Sequence, residues 1–148
     1  MTTVYDVPAE PLIRSVAAKL KNESAISPPD WSTFVTTGVH TEKPPVEADW
    51  WHTRAAAVLR KVYVKGTIGT ERLRAEFGGP KDRGSKPNRA ARGSGSIIRE
   101  SLQQLEAAGM LENVKGAGRR VTGKGRSLLD NSAHEVRQTL EVPGLEKY

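Results

Sequence analysis

The sequence predicts a mainly α, winged-helix-like bundle of five to six helices with one small β-hairpin, the wing. Three observations carry that expectation. Apolar residues recur at helical spacing in several separate segments. A short helical stretch, Thr70–Phe77, is divided by a glycine-rich segment from a longer one ending near Ala108, the order of a helix-turn-helix pair. Met110–Val114 and Arg119–Thr122 then flank a glycine turn and read as two short strands.

Taken in order, Met1–Tyr5 is an extended lead-in. A helix begins around Val7-Pro8-Ala9-Glu10, where proline is tolerated because first-turn N–H groups have no helical partner. Leu12, Ile13, Val16 and Leu20 share its core face to about Leu20, and Lys19 and Lys21 suit the C-terminal dipole without needing a ligand. Ser27-Pro28-Pro29-Asp30 breaks the chain before a short helical turn presenting Trp31 and Phe34. Gly38–Ala48 is a loop, since Pro44-Pro45 favours extended backbone.

Asp49 is expected to cap the helix that follows, DWWHTRAAAVLRKVYV. Trp51, Ala55, Val58, Leu59 and Val62 fall on one face of it. Arg54, Lys61 and Lys65 form a narrow cationic arc beside that face. A solvated surface is the ordinary reading of such an arc, and a second phosphate-contacting surface the functional one. Trp50 and Trp51 are read as packing residues rather than base-stacking platforms.

Gly66-Thr67-Ile68-Gly69 turns the chain into Thr70–Phe77, with Leu73 and Phe77 on one side, and Gly78-Gly79-Pro80 ends that helix. Lys81–Gly95 reads as a long basic loop, mobile alone and ordered by a partner. Ser94 or Ser96 caps the next helix, which turns Ile98, Leu102 and Leu105 inward and Arg99 and Gln103 outward before Gly109 stops it. After the hairpin, Thr122 caps a last helix to about Leu140 with Leu128, Leu129, Ala133 and Val136 on its buried side. Residues 1–140 are expected to form one nucleic-acid-binding domain and 141–148 a tail.

Charge says what the surface is for. From Lys81 to Arg126 eleven Lys and Arg stand against four Asp and Glu, a surplus of seven, while the whole chain of 148 residues carries +6. A one-sided positive field recruits polyanions. Glycine and serine around those charges let backbone N–H groups approach phosphates closely. The chain has no cysteine, which excludes disulfide scaffolds, thiolate–zinc sites and Cys nucleophiles. Its apolar runs fall short of the roughly 18 residues that span a bilayer, and no basic segment with an apolar continuation opens it, so a cytoplasmic location is expected.

Catalytic readings fail on inspection. Gly118-Arg119-Arg120-Val121-Thr122-Gly123-Lys124-Gly125 nearly matches a phosphate-binding loop, but Gly125 replaces the Mg²⁺-ligating hydroxyl and Arg119-Arg120-Val121 suits a strand. His40, His52 and His134 are isolated and lack metal-ligand spacing. Glu47 and Asp49 suggest a carboxylate pair, yet Asp49 already has a capping role. No enzyme, no metal, no cofactor and no small-molecule substrate is expected.

PPDWSTFVTTGVHTEKPP, DWWHTRAAAVLRKVYV, GTIGTERLRAEFGG, GSGSIIRESLQQLEAAGML and GRRVTGKGRSLLD occur in an order that resembles the archaeal/eukaryotic-type family of small-subunit ribosomal protein nineteen. The likeness runs from about Tyr5 to His134. It implies a mainly helical, winged-helix-like protein bound to ribosomal RNA in the head of the small subunit, beside other ribosomal proteins, with a part in subunit assembly. The short ending implies an archaeal-type member. Carried over by position, the basic central helix is represented by Arg54, Arg60 and Lys61, and the basic loop by Lys81, Arg83, Lys86, Arg89 and Arg92. The start of the second helix of the pair is Ser94–Arg99, and the hairpin motif falls on Gly118, Arg119 and Thr122.

The RNA-binding set expected from charge and likeness together comprises Arg54, Arg60, Lys61, Lys65, Lys81, Arg83, Lys86, Arg89, Arg92, Ser94, Ser96, Arg99, Lys115, Arg119, Arg120 and Lys124. Arginine forks grip phosphates bidentately and lysines add point charges, each contact releasing counterions. The protein is expected to be monomeric when free. From the residues alone, the competing reading is a winged-helix DNA-binding transcription regulator, a homodimer with Arg99 and Gln103 at base edges. A third is a protein–protein adaptor.

Overall fold

The computed structural model describes residues 2–139. Five helices and two hairpins follow in the order α1 Ala9–Leu20, α2 Trp50–Lys65, α3 Thr70–Glu76, β1 Gly79–Arg83, β2 Lys86–Ala91, α4 Gly95–Ala107, β3 Leu111–Val114, β4 Gly118–Val121 and α5 Gly123–Thr139. Short 3-10 turns occupy Val4–Asp6 and Asp30–Thr33. The C-terminal tail expected at 141–148 lies outside the described residues.

Helix α2 is the axis of the core. Its face of Trp51, Ala55, Ala56, Val58, Leu59 and Val62 is buried, and α1, α4 and β4 pack around it. From α1 come Leu12, Val16 and Leu20, from α4 Ile97, Ile98, Leu102 and Leu105, and from α5 Leu129, Ala133 and Val136. These residues join one contiguous hydrophobic cluster, with Leu128 packed at its margin. The helical periodicities therefore point where the sequence placed them. A polar tie supports the crossing of α2 and α4: Trp51 Nε1 donates to Gln104 Oε1 at 2.9 Å, and Gln104 Nε2 donates to the Ser27 carbonyl at 2.8 Å. An indole N–H buried without such a partner would cost stability.

The winged-helix order is α2, Ile68, α3, α4 and the β3–β4 wing. Ile68 forms an isolated antiparallel bridge with Arg119 through bonds of 3.1 and 2.9 Å, giving the wing a one-residue third strand. Gly118 permits that approach: its φ is +118°, and a Cβ there would lie 2.4 Å from the Ile68 carbonyl oxygen. Thr122 caps α5, its Oγ1 accepting from Gly125 N–H at 3.3 Å while its hydroxyl donates to the Gly109 carbonyl at 2.6 Å.

Two local expectations are corrected. Asp49 does stand at the N-cap of α2, but its side chain makes no capping bond. It accepts from Lys21 Nζ at 2.6 Å instead, and that hydrogen bond holds its carboxyl below its ordinary value. The second correction is larger. The stretch read as a long loop is an antiparallel hairpin, so the fold has two hairpins and not one wing alone. Gly84-Ser85 makes a two-residue turn with Gly84 at φ +78°, and Asp82 Oδ1 accepts the Gly84 N–H at 2.9 Å. Ladder bonds hold this ribbon, since none of its residues is buried.

Tyr63 on α2 donates its hydroxyl to Asp130 Oδ1 on α5 at 2.9 Å and stacks obliquely with Tyr5 at 5.9 Å. Burial first, then the bond to Asp130, pushes its phenol up to about 12. A folded-state value above the unfolded one favours the protonated form. The stabilisation is therefore whole below the ordinary phenol value of roughly 10 and lost as pH rises through about 12. Spectrophotometric titration at alkaline pH should show one tyrosine ionising late in the native protein, and Tyr63→Phe should abolish that late step.

Candidate nucleic-acid interface

The structure sorts the cations into paired and free ones. On α2, Arg54 lies over the Phe77 ring at 4.7 Å, and burial holds its guanidinium below its ordinary value. Lys61 and Lys65 both reach Glu76, at 3.4 and 3.2 Å. The Lys65 hydrogen bond, with Lys61 beside it, holds the Glu76 carboxyl below its ordinary value. Arg60 has no ion pair among the described residues, and its Nε is enclosed without a hydrogen-bond partner. The arc on α2 is thus largely internally engaged.

The wing arginines are engaged as well. Arg119 Nε donates to Glu106 Oε2 at 3.0 Å with its side chain only 18% exposed. Arg120 pairs across the strands with Glu112, Lys124 Nζ caps the Ala108 carbonyl at 2.8 Å, and exposed Lys115 at the turn has no ion pair among the described residues.

The β1–β2 hairpin differs in kind. Lys81 stands opposite Arg89, and Arg83 opposite Lys86. Like charges placed directly across two strands destabilise a ladder, and no carboxylate pairs with any of the four among the described residues. Arg83 donates to the Pro87 carbonyl at 2.9 and 2.7 Å, and Lys81 to the Val39 carbonyl at 2.9 Å. Neutral carbonyls orient these side chains and leave the charge uncancelled. Lys86 and Arg89 are exposed.

At the hairpin's exit, Arg92 bonds Glu71 at 2.7 Å, which also accepts from Arg74 at 3.2 Å. Arg74's hydrogen bond, with Arg92 nearby, keeps the Glu71 carboxyl below its ordinary value. Ser94 caps α4, its Oγ accepting from Ile97 N–H at 3.4 Å. Ser94, Ser96 and Arg99 then line a cleft of about 550 Å³ together with Arg74, Arg92 and, from the 31–39 segment, Trp31 and Val39.

Sequence reasoning did not place Arg74, Trp31 or Val39 at this site. Arg74 had a visible signal, three residues after Glu71 on a helix. Trp31 and Val39 had none, because the bridge between Gly38 and Gly93 that brings their segment to α4 joins distant parts of the chain.

The remaining motifs settle into structural positions. The near phosphate-loop sequence is β4 running into α5. His52 Nε2 lies 3.3 Å from the Ile26 carbonyl, and His134 touches Thr2 and Gln138. Among the described residues no group of three His, Asp or Glu could hold a metal, and no helix is long and apolar enough to cross a membrane.

Fold and charge together define a basic, winged-helix-like protein with an additional cationic hairpin inserted between its paired helices. Residues 3–139 match the family described as Ribosomal protein S19e, and the chain belongs to that family. It is 47% identical over 152 aligned positions to Small ribosomal subunit protein eS19 of Haloarcula marismortui, covering 100% of this chain and 99% of that protein. Identity to the eS19 of Aeropyrum pernix is 45% over 152 positions, with the same coverage. The eS19B of Schizosaccharomyces pombe is 38% identical over 134 positions, covering 90% of this chain and 94% of that one.

Proposed function

We propose that this protein is a structural constituent of the small ribosomal subunit that binds ribosomal RNA chiefly through the β1–β2 hairpin and the start of α4. One observation carries the mechanism: four cations face each other like to like on an exposed ribbon, and none of them is ion-paired among the described residues. Such a ribbon is relieved by a polyanion, and phosphate contacts there would act by charge and shape. Binding, not catalysis, is the activity. The names and full-length likeness of the relatives support the ribosomal setting. The family resemblance supports residues 1–140 as the RNA-binding unit, a place in the subunit head beside other ribosomal proteins, a part in assembly, and a cytoplasmic location.

The regulator reading loses its footing on charge. The wing arginines are already held by Glu106 and Glu112, and α4 offers a single unpaired cation, Arg99, in a helix that also carries Glu100 and Glu106. A DNA-binding wing needs its arginines free for phosphate, and one cation on α4 is a thin reading surface. Sedimentation decides between the two: the protein should travel with small subunits and be stripped off by high salt. Recovery in the unbound fraction or on DNA overturns the proposal.

Glu76→Gln should release Lys61 and Lys65 and raise rRNA affinity about two- to fivefold at low ionic strength, with the gain fading as salt screens it. Filter binding across a salt series measures this. No gain at low salt would show that the α2 arc does not face the RNA.

A further inference from the structure

Resting on the RNA-binding reading, we infer that the cleft between α4 and the 31–39 segment seats a single unpaired nucleotide, its base against Trp31 and Val39 and its phosphate at Ser96 and Arg99. The cleft is mixed in chemistry. Its lining joins apolar Trp31, Val35 and Val39 to three arginines, Arg74, Arg92 and Arg99, which outnumber the one carboxylate there, Glu100. At about 550 Å³ it falls within the roughly 300–1,000 Å³ range of small-molecule pockets. A regular duplex would present it only phosphates and leave the apolar lining wet, whereas an extruded nucleotide supplies both a flat base and an anion.

The cleft is also braced. Ser94 N–H donates to the Thr37 carbonyl at 2.9 Å, Arg74 Nε to the Gly93 carbonyl at 3.0 Å, and Gly38 bridges Gly93. Trp31 is set edge-on against Trp51 at 5.8 Å and 86°, which fixes its ring. Of the three arginines, Arg74 and Arg92 are held by Glu71. Arg99 has no ion pair among the described residues, and Val39 is 67% exposed. So a fixed ring, an uncovered apolar side chain and an unpaired guanidinium share one opening.

The test uses the full chain and two RNA probes: a labelled hairpin with a single bulged 2-aminopurine, and the same hairpin without the bulge. The bulged probe should bind about tenfold tighter, the scale of one base stacked on an aromatic side chain, and its fluorescence should change on binding. Ser96→Glu, which puts a carboxylate at the phosphate seat yet suits the first turn of a helix, should reduce the ratio of the two affinities towards one. Trp31→Ala should do the same, and Ser96→Glu remains decisive if the tryptophan variant unfolds. Lys86→Ala with Arg89→Ala should weaken both probes and preserve the ratio. Equal binding of the two probes by the native protein, or an undiminished ratio in Ser96→Glu, overturns the seated nucleotide while leaving RNA binding intact. Failure to bind either probe overturns both readings.

Discussion

Replacing Lys81, Arg83, Lys86 and Arg89 together by alanine should lower rRNA affinity about 100-fold near physiological salt and flatten the salt dependence by about three units of slope. The same variant should melt no lower than the native protein. The physical reason is the cross-strand arrangement: Lys81 faces Arg89 and Arg83 faces Lys86, so the ladder carries repulsion that alanine removes. None of the four side chains is buried in the core. Filter binding over a salt series and a thermal melt read both halves of this expectation. A melting loss with unchanged affinity would show that the ribbon serves the fold instead of the RNA.

Leu102→Ala should do the opposite. Leu102 on α4 is fully buried in the central cluster between the elements of the wing unit and α2. Truncation there typically costs about 2–5 kcal/mol, a large part of the roughly 5–15 kcal/mol that holds a domain together. At about 2–4 °C per kcal/mol for a chain of this size, the melting temperature should fall by about 10 °C, and accumulation in cells should fall with it. Folded Leu102→Ala at low temperature should bind RNA like the native protein. A shift of under about 2 °C would mean that the core collapses around the missing side chain more completely than its burial suggests.

The helices were legible because their evidence is local and redundant. Val16 and Leu20 on α1, Leu59 and Val62 on α2, and Leu102 and Leu105 on α4 repeat at the spacing that makes one face apolar, and each is fully buried. Glycine and proline marked their ends. The inserted hairpin was not legible in the same way. Its strands, GPKDR and KPNRAA, never alternate apolar with polar because neither face is buried. Only the Gly84-Ser85 pair carried a turn signal, and it lacked the flanking apolar alternation that makes such a pair persuasive.

Charge was legible as an amount and illegible as a distribution. A surplus of seven over Lys81–Arg126 pointed to a polyanion partner, but counting treats every cation alike. Folding brings Glu106 to Arg119, Glu71 to Arg92, and Glu76 to Lys61 and Lys65. Among the described residues those pairings leave the four hairpin cations as the densest uncancelled group, with Arg99, Lys115 and Lys124 as separate unpaired charges.

The sequence by itself determined the helices, the wing, the core face of each helix and the surplus of positive charge, since periodicity, capping and net charge are properties of neighbouring residues. Only the tertiary structure decided which cations remain free and what lines the cleft at α4. Those depend on contacts such as Gly38 with Gly93 and Ile68 with Arg119. Their partners are tens of residues apart, and close packing of the core, not any local pattern, sets them side by side.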